Sequence, residues 1–110
     1  MTHKKLYDLL LTLTTTDHES IPVAYDHFYK GQNVNPPFIA YREISPDTFK
    51  ADCITYYRPY NFEIELVTEV KDVALEKALE KLLTDNLIPY DVSDELWDKD
   101  EQIYHIFYEI

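Results

Sequence analysis

Residues 60–68 constrain this chain more than any other stretch. Tyr60, Phe62, Ile64 and Leu66 alternate with Asn61, Glu63, Glu65 and Val67. Side chains of a strand point to opposite faces with a period of two, so this segment predicts a strand with one buried and one wet face. That pattern belongs to an antiparallel sheet covered on one side. The cover has to come from elsewhere in the chain, and two leucine stripes supply it. In residues 3–15, Leu6, Leu9, Leu10 and Leu13 recur at the spacing of one helical face, with Thr2 as N-cap and the run Thr14-Thr15-Thr16 as the stop. In residues 73–85, Ala74, Leu75, Ala78, Leu79, Leu82 and Leu83 form a second stripe, with Asp72 as N-cap. Asn86 is expected to supply the left-handed residue that closes that helix.

Further extended segments are expected at Ile21–Phe28, Phe38–Ile44, Phe49–Tyr57, Leu87–Val92 and Gln102–Ile110. Residues 30–37 read as a loop, with the only glycine, two asparagines and two prolines. Residues 93–101 read as an acidic connection, and hairpin-length loops are expected between strands. The expected fold is α+β in a single domain spanning residues 1–110: an antiparallel sheet of four to five strands with two helices packed on one face.

Composition excludes several classes of function. Phosphate-cradling loops need at least two glycines, and this chain has one. A single cysteine excludes an internal disulfide and a cysteine-based zinc cluster. The net charge of −11 argues against specific or nonspecific nucleic-acid binding and against adhesion to anionic membranes. Residues 61–110 carry 14 acids and 4 bases, so nearly all of that charge lies in the second half. No apolar run approaches a membrane span, and the start lacks the pattern of a signal peptide.

No catalytic motif emerges. The histidines, His3, His18, His27 and His105, lack metalloprotease spacing. Cys53 with His27 and His105 would make a nucleophilic site only if the fold assembled them. The acidic run from Asp91 to Glu101 lacks the glycine of a calcium loop. Glu63 and Glu65 read as charges on a wet or edge face that discourage pairing with other chains. Trp97 reads equally as a core anchor or as a contact residue. Ten tyrosines, whose rings suit half-buried and interface positions, lean toward assembly rather than catalysis. No catalytic, cofactor-binding or metal-binding residue is therefore expected.

Several segments carry a resemblance. They are Ile21-Pro22-Val23-Ala24-Tyr25, Pro36-Pro37-Phe38-Ile39-Ala40-Tyr41, Phe49-Lys50-Ala51-Asp52, Phe62-Glu63-Ile64-Glu65-Leu66-Val67-Thr68, Lys71-Asp72 and Ile106-Phe107-Tyr108-Glu109-Ile110. Over residues 20–110 the chain resembles a small family of siphophage tail-terminator or tail-completion proteins, encoded among head–tail joining genes of phages and prophages of Gram-positive bacteria. Cys53 departs from the asparagine more common in that family. The resemblance implies a virion protein made in the host bacterial cytoplasm. Its partners would be copies of itself in a ring, often a hexamer, the tail-tube protein and the head-connector proteins.

The resemblance assigns no binding residues, so contact candidates follow from loop position and charge. They are Gln32, Asn33 and Asn35 in one loop, and Asp94, Glu95, Trp97 and Asp98 in the other. Glu63 and Glu65 join them as acids that would line a lumen through which DNA passes. The competing expectation is an acidic binding module, such as an inhibitor that mimics nucleic acid through its carboxylates.

Overall fold

The computed structural model describes residues 2–15, 17–26, 34–44 and 61–110. Among these residues two helices and five strands follow one another as α1 (His3–Leu10), β1 (Val23–Tyr25), β2 (Phe38–Glu43), β3 (Phe62–Thr68), α2 (Val73–Asp85), β4 (Asp91–Asp98) and β5 (Ile103–Glu109). The strands form one sheet in the order β1-β2-β3-β5-β4. The class is α+β, as the sequence predicts. The strand expected over Phe49–Tyr57 lies outside the described residues.

The sheet is mixed rather than wholly antiparallel. β1 runs parallel to β2, with Val23 beside Ile39 and Tyr25 beside Tyr41. Parallel neighbours cannot be joined by a tight hairpin, because the chain must return to the end it started from. The return begins at Asp26, whose left-handed backbone (φ 68°) stops β1 earlier than expected. The remaining pairs, β2 with β3, β3 with β5 and β5 with β4, are antiparallel. β4 is therefore parallel to β3 in direction, with β5 inserted between them and α2 making the crossover, a split β-α-β unit.

Register places the core. Ile39, Leu66 and Ile106 lie in one row across the sheet, and Tyr41, Ile64 and Tyr108 in the next. All six are buried, as are Leu6 and Leu10 from α1 and Leu75, Leu79 and Leu83 from α2. Both leucine stripes thus cover the same sheet face. Each fully buried leucine contributes about 1.5–3 kcal/mol relative to exposure. Val67, placed on the wet face by alternation, is fully buried instead. Its cross-strand neighbours Phe38 and His105 flank it on the far face.

The caps follow the sequence at both helix N-termini. Thr2 Oγ1 accepts from the Lys5 amide at 3.2 Å, and Asp72 Oδ1 accepts from the Leu75 amide at 3.1 Å. α1 stops at Leu10, sooner than predicted. The Thr12 hydroxyl donates to the Leu9 carbonyl at 2.6 Å, taking up one of the last free acceptors, and Leu13 is still buried beyond the helix end.

At the end of α2, Asn86 keeps a negative φ of −99° and Leu87 adopts the left-handed conformation at 60°. The Ile88 amide donates to the Leu83 carbonyl at 2.9 Å, and the Leu87 amide to the Thr84 carbonyl at 3.0 Å. These two bonds make a Schellman motif whose left-handed position holds leucine rather than glycine. Ile88 is buried against Leu83 in the core, which fixes the turn one residue later than the asparagine predicts.

Leu87 is 86% exposed and gains nothing from its side chain to offset the strained backbone. Leu87→Gly is expected to raise unfolding free energy by about 0.5–1 kcal/mol. Leu83→Ala, four residues earlier, is expected to lower it by about 2–5 kcal/mol. Urea denaturation of the two variants beside the parent checks both signs.

Candidate interaction edge at strand β4

The acidic segment expected as a loop is a strand. β4 covers Asp91–Asp98, and the short strand expected over Leu87–Val92 is displaced toward the C-terminus by the Leu87 turn. Pairing with β5 decides the conformation. Trp97 lies opposite Tyr104, Leu96 opposite His105, Glu95 opposite Ile106 and Asp94 opposite Phe107. The register shifts between Val92 and Asp94, so Ser93 is a bulge. Its hydroxyl is 3.4 Å from the Phe107 carbonyl. The sequence hid this strand because that bulge breaks the alternation of Val92, Leu96 and Trp97.

Among the described residues β4 is the last strand of the sheet, and residues 91–97 are all exposed. Val92, Leu96 and Trp97 are 46%, 50% and 48% exposed. Trp97 is therefore a half-exposed edge residue, not a core anchor. Glu95 and Trp97 point to the helix side of the sheet, where Ile106 and Tyr104 stand opposite them. Asp94, Leu96 and Asp98 point to the far side.

One lysine ties the edge to the body of the fold. Lys71 Nζ donates to Glu76 Oε1 at 3.0 Å, to Glu95 Oε1 at 3.3 Å and to the Tyr104 hydroxyl at 3.4 Å. It also lies 5.1 Å from the Tyr104 ring centroid. The Tyr104 hydroxyl donates in turn to Glu95 Oε2 at 2.7 Å. Three elements, the entry to α2, β4 and β5, thereby share one ammonium.

The hydrogen bond to Glu76 does most to hold the lysine charged well above its ordinary range, despite some desolvation. The Tyr104 and Lys71 bonds hold the Glu95 carboxyl below its usual value. The Glu95 acceptor, followed by burial, pushes the Tyr104 hydroxyl up. Glu76 itself is only 7% exposed, and its Oε2 has no partner. Sequence reasoning missed Lys71. The signal was a cation directly before an N-cap, where the helix dipole disfavours it unless carboxylates surround it.

A second carboxylate–tyrosine group lies beneath the same helix. Glu80 accepts from Tyr108 at 2.9 Å and from Tyr90 at 3.3 Å. Burial, followed by Glu80, pushes the hydroxyl of Tyr108 far up, and the same two causes raise Tyr90. Tyr41, buried beside α1, is pushed up to about 12, chiefly by burial. Its hydroxyl is 3.1 Å from His3 Nε2, and the rings of His3, Tyr7, Tyr25 and Phe62 surround it. The described tyrosines thus work mostly inside the fold.

The other candidate residues are dispersed. Glu63 and Glu65 stand on β3, the middle strand, and so guard no edge. Arg42 Nε and Nη2 both lie 3.0 Å from Glu63 Oε1. His105 Nδ1 lies 2.6 Å from Glu65 Oε2, and the imidazole stacks on Phe107. Together with Asp26 and Ala40, the Arg42–Glu63 pair, Glu65 and Phe107 line a far-face recess of about 170 Å³. Glu65 and Asp94 share one row, both opposite Phe107, whereas Asn35 lies apart at an exposed position before β2. Gln32 and Asn33 lie outside the described residues, as do Cys53 and His27.

Among the described residues no set of three or more His, Cys, Asp or Glu is placed to hold a metal ion. Among them, too, no helix is long and apolar enough to cross a membrane. Comparison with protein-family models, with curated proteins and with solved structures finds no match.

Two outcomes follow from these contacts. Lys71→Met leaves the Glu76 carboxylate buried without its cation and is expected to lower the melting temperature. Lys71→Met combined with Glu76→Leu is expected to recover most of that loss, because an apolar side chain replaces a carboxylate left buried without its cation. Thermal melts of both variants test the coupling.

The second concerns base. Below the ordinary tyrosine pKa of 10.0, folded and unfolded chains both hold their phenolic protons. Between 10 and about 12 the unfolded chain releases protons that Tyr41 and Tyr108 retain when folded. Stability is therefore expected to fall as pH rises through that window. Tyr108→Phe should make the fall shallower in urea midpoints measured against pH.

Proposed function

We propose that this chain is a non-enzymatic assembly subunit, acting as a tail-terminator or tail-completion protein of a siphophage virion. In this reading it forms a ring at the head-proximal end of the tail tube and docks to the head connector. The observation that carries the docking part of that role, contact with a different protein, is the exposed edge of β4. An eight-residue strand, bulged at Ser93, carries three half-exposed apolar side chains between carboxylates. Long exposed edges that present apolar side chains are sites where other chains add. The Lys71 hub holds this edge in a fixed position, as a docking surface requires.

The virion role rests on the segments that resemble the tail-terminator family. Of these, residues 21–25, 36–41, 62–68 and 106–110 fall on or beside β1, β2, β3 and β5. They are the scaffold that places β4 rather than a reactive site. In this reading the acidic second half, residues 61–110, supplies the inner wall of the ring, since phosphates are repelled from a negative wall.

Sedimentation velocity of the purified chain, with electron microscopy of the same sample, tests the proposal. A discrete closed ring is expected, either alone or after addition of tail tubes. A strict monomer under both conditions that instead binds a basic protein would overturn the ring and favour the acidic-module reading.

A further inference from the structure

The outer edge of β4 carries a pattern that its pairing with β5 does not use. On the far side it offers the carboxylates of Asp94 and Asp98, separated by Leu96, with one oxygen of Asp94 also accepting from the Glu95 amide and one of Asp98 from the Asp100 and Glu101 amides. On the helix side Glu95 is already engaged by Lys71 and Tyr104, which leaves Val92 and Trp97 as the open apolar positions. An added strand would lie in register with these residues. Its side chains opposite Asp94 and Asp98 fall four residues apart on one face, the residue opposite Leu96 shares that face, and the two residues between these positions point the other way.

We infer that the outer edge of β4 binds an extended segment of another protein, with basic residues spaced four apart on one face and apolar residues on the other. The backbone of that segment would complete the open half of the β4 ladder. Its bases would meet Asp94 and Asp98, and its apolar side would cover Trp97 and Val92. This names the partner class of the contact edge proposed above. It rests on β4 being a contact edge, not on the virion role.

Two observations disfavour the β4 edge of a second copy as the occupant. Antiparallel pairing of β4 with itself over all eight residues would set Asp94 against Glu95 and Asp91 against Asp98. Like charges directly opposite are destabilising. In the whole sequence, moreover, Lys77 and Lys81 are the only two bases four residues apart, and both are locked in α2. The carboxylates thus reject the chain's own edge and attract a basic one, which is how charge selects a partner.

Trp97 is the single tryptophan, so its fluorescence reports on this edge alone. The probe is the capped peptide Val-Lys-Val-Thr-Val-Lys-Val, added to the full chain. A saturable blue shift is expected. It should weaken at least about tenfold when the peptide amides that would face β4 are N-methylated. It should weaken by at least about the same factor in Asp94→Lys/Asp98→Lys, a variant expected to bind the peptide carrying Glu in place of Lys. Far-UV circular dichroism confirms that this variant is folded.

Absence of a saturable shift at millimolar peptide would overturn the inference. So would equal binding of the N-methylated peptide, which would reduce the effect to charge attraction without strand pairing. A chain that forms rings but ignores the peptide removes this inference and leaves the proposed function standing. A monomer that binds the peptide does the reverse.

Discussion

The structure depends on the burial of one face of β3. Phe62, Ile64 and Leu66 sit in the middle of the sheet, flanked by β2 and β5 and covered by both helices. Without α1 and α2 that face would meet water and the sheet would have no core. Without β3 the leucine stripes would have no common surface. The helices are short, so tertiary packing rather than intrinsic propensity holds them. This mutual dependence explains why the apolar patterns at 3–15, 60–68 and 73–85 agree so closely.

Outward from that core, order is maintained by polar contacts of decreasing burial. Glu80 joins Tyr90 and Tyr108 beneath α2. Lys71 joins Glu76, Glu95 and Tyr104 one step nearer the edge. Beyond them β4 is held by its ladder with β5 and by the Lys71 hub. A strand so placed is well positioned yet open on one side, the combination that a docking edge requires. The same reasoning reassigns the tyrosines. Tyr41 and Tyr108 are core residues, and Tyr104 is a strut of the edge, so the case for assembly rests on β4 and not on tyrosine content.

Much of the fold was legible in the sequence because its signals are local. The span of α2, the caps Thr2 and Asp72 and the inward face of β5 follow from spacing and residue type. What was not legible depends on contacts between distant residues. The parallel pairing of β1 with β2 is set by where the chain returns, which no local pattern encodes. Val67 looked wet because its strand alternates, yet it is fully buried, with Phe38 and His105 beside it across the strands.

β4 looked like a loop because the bulge at Ser93 breaks its period and four carboxylates suggest a solvated run. Asp94, Glu95, Trp97 and Asp98 were placed by sequence in one contact segment, but the strand divides them between two faces. Lys71 was invisible because its partners come from three separate elements.

The central claim is that residues 91–98 form an ordered strand with one edge open to solvent. Amide hydrogen exchange resolved by residue tests it most directly. In an edge strand only the amides that point to β5 are bonded, so protection should alternate along β4, with slow and fast sites interleaved on either side of Ser93. Uniformly fast exchange would mean that the segment is a loop. Uniform protection would mean that the outer edge is already covered. Either result would contradict the account.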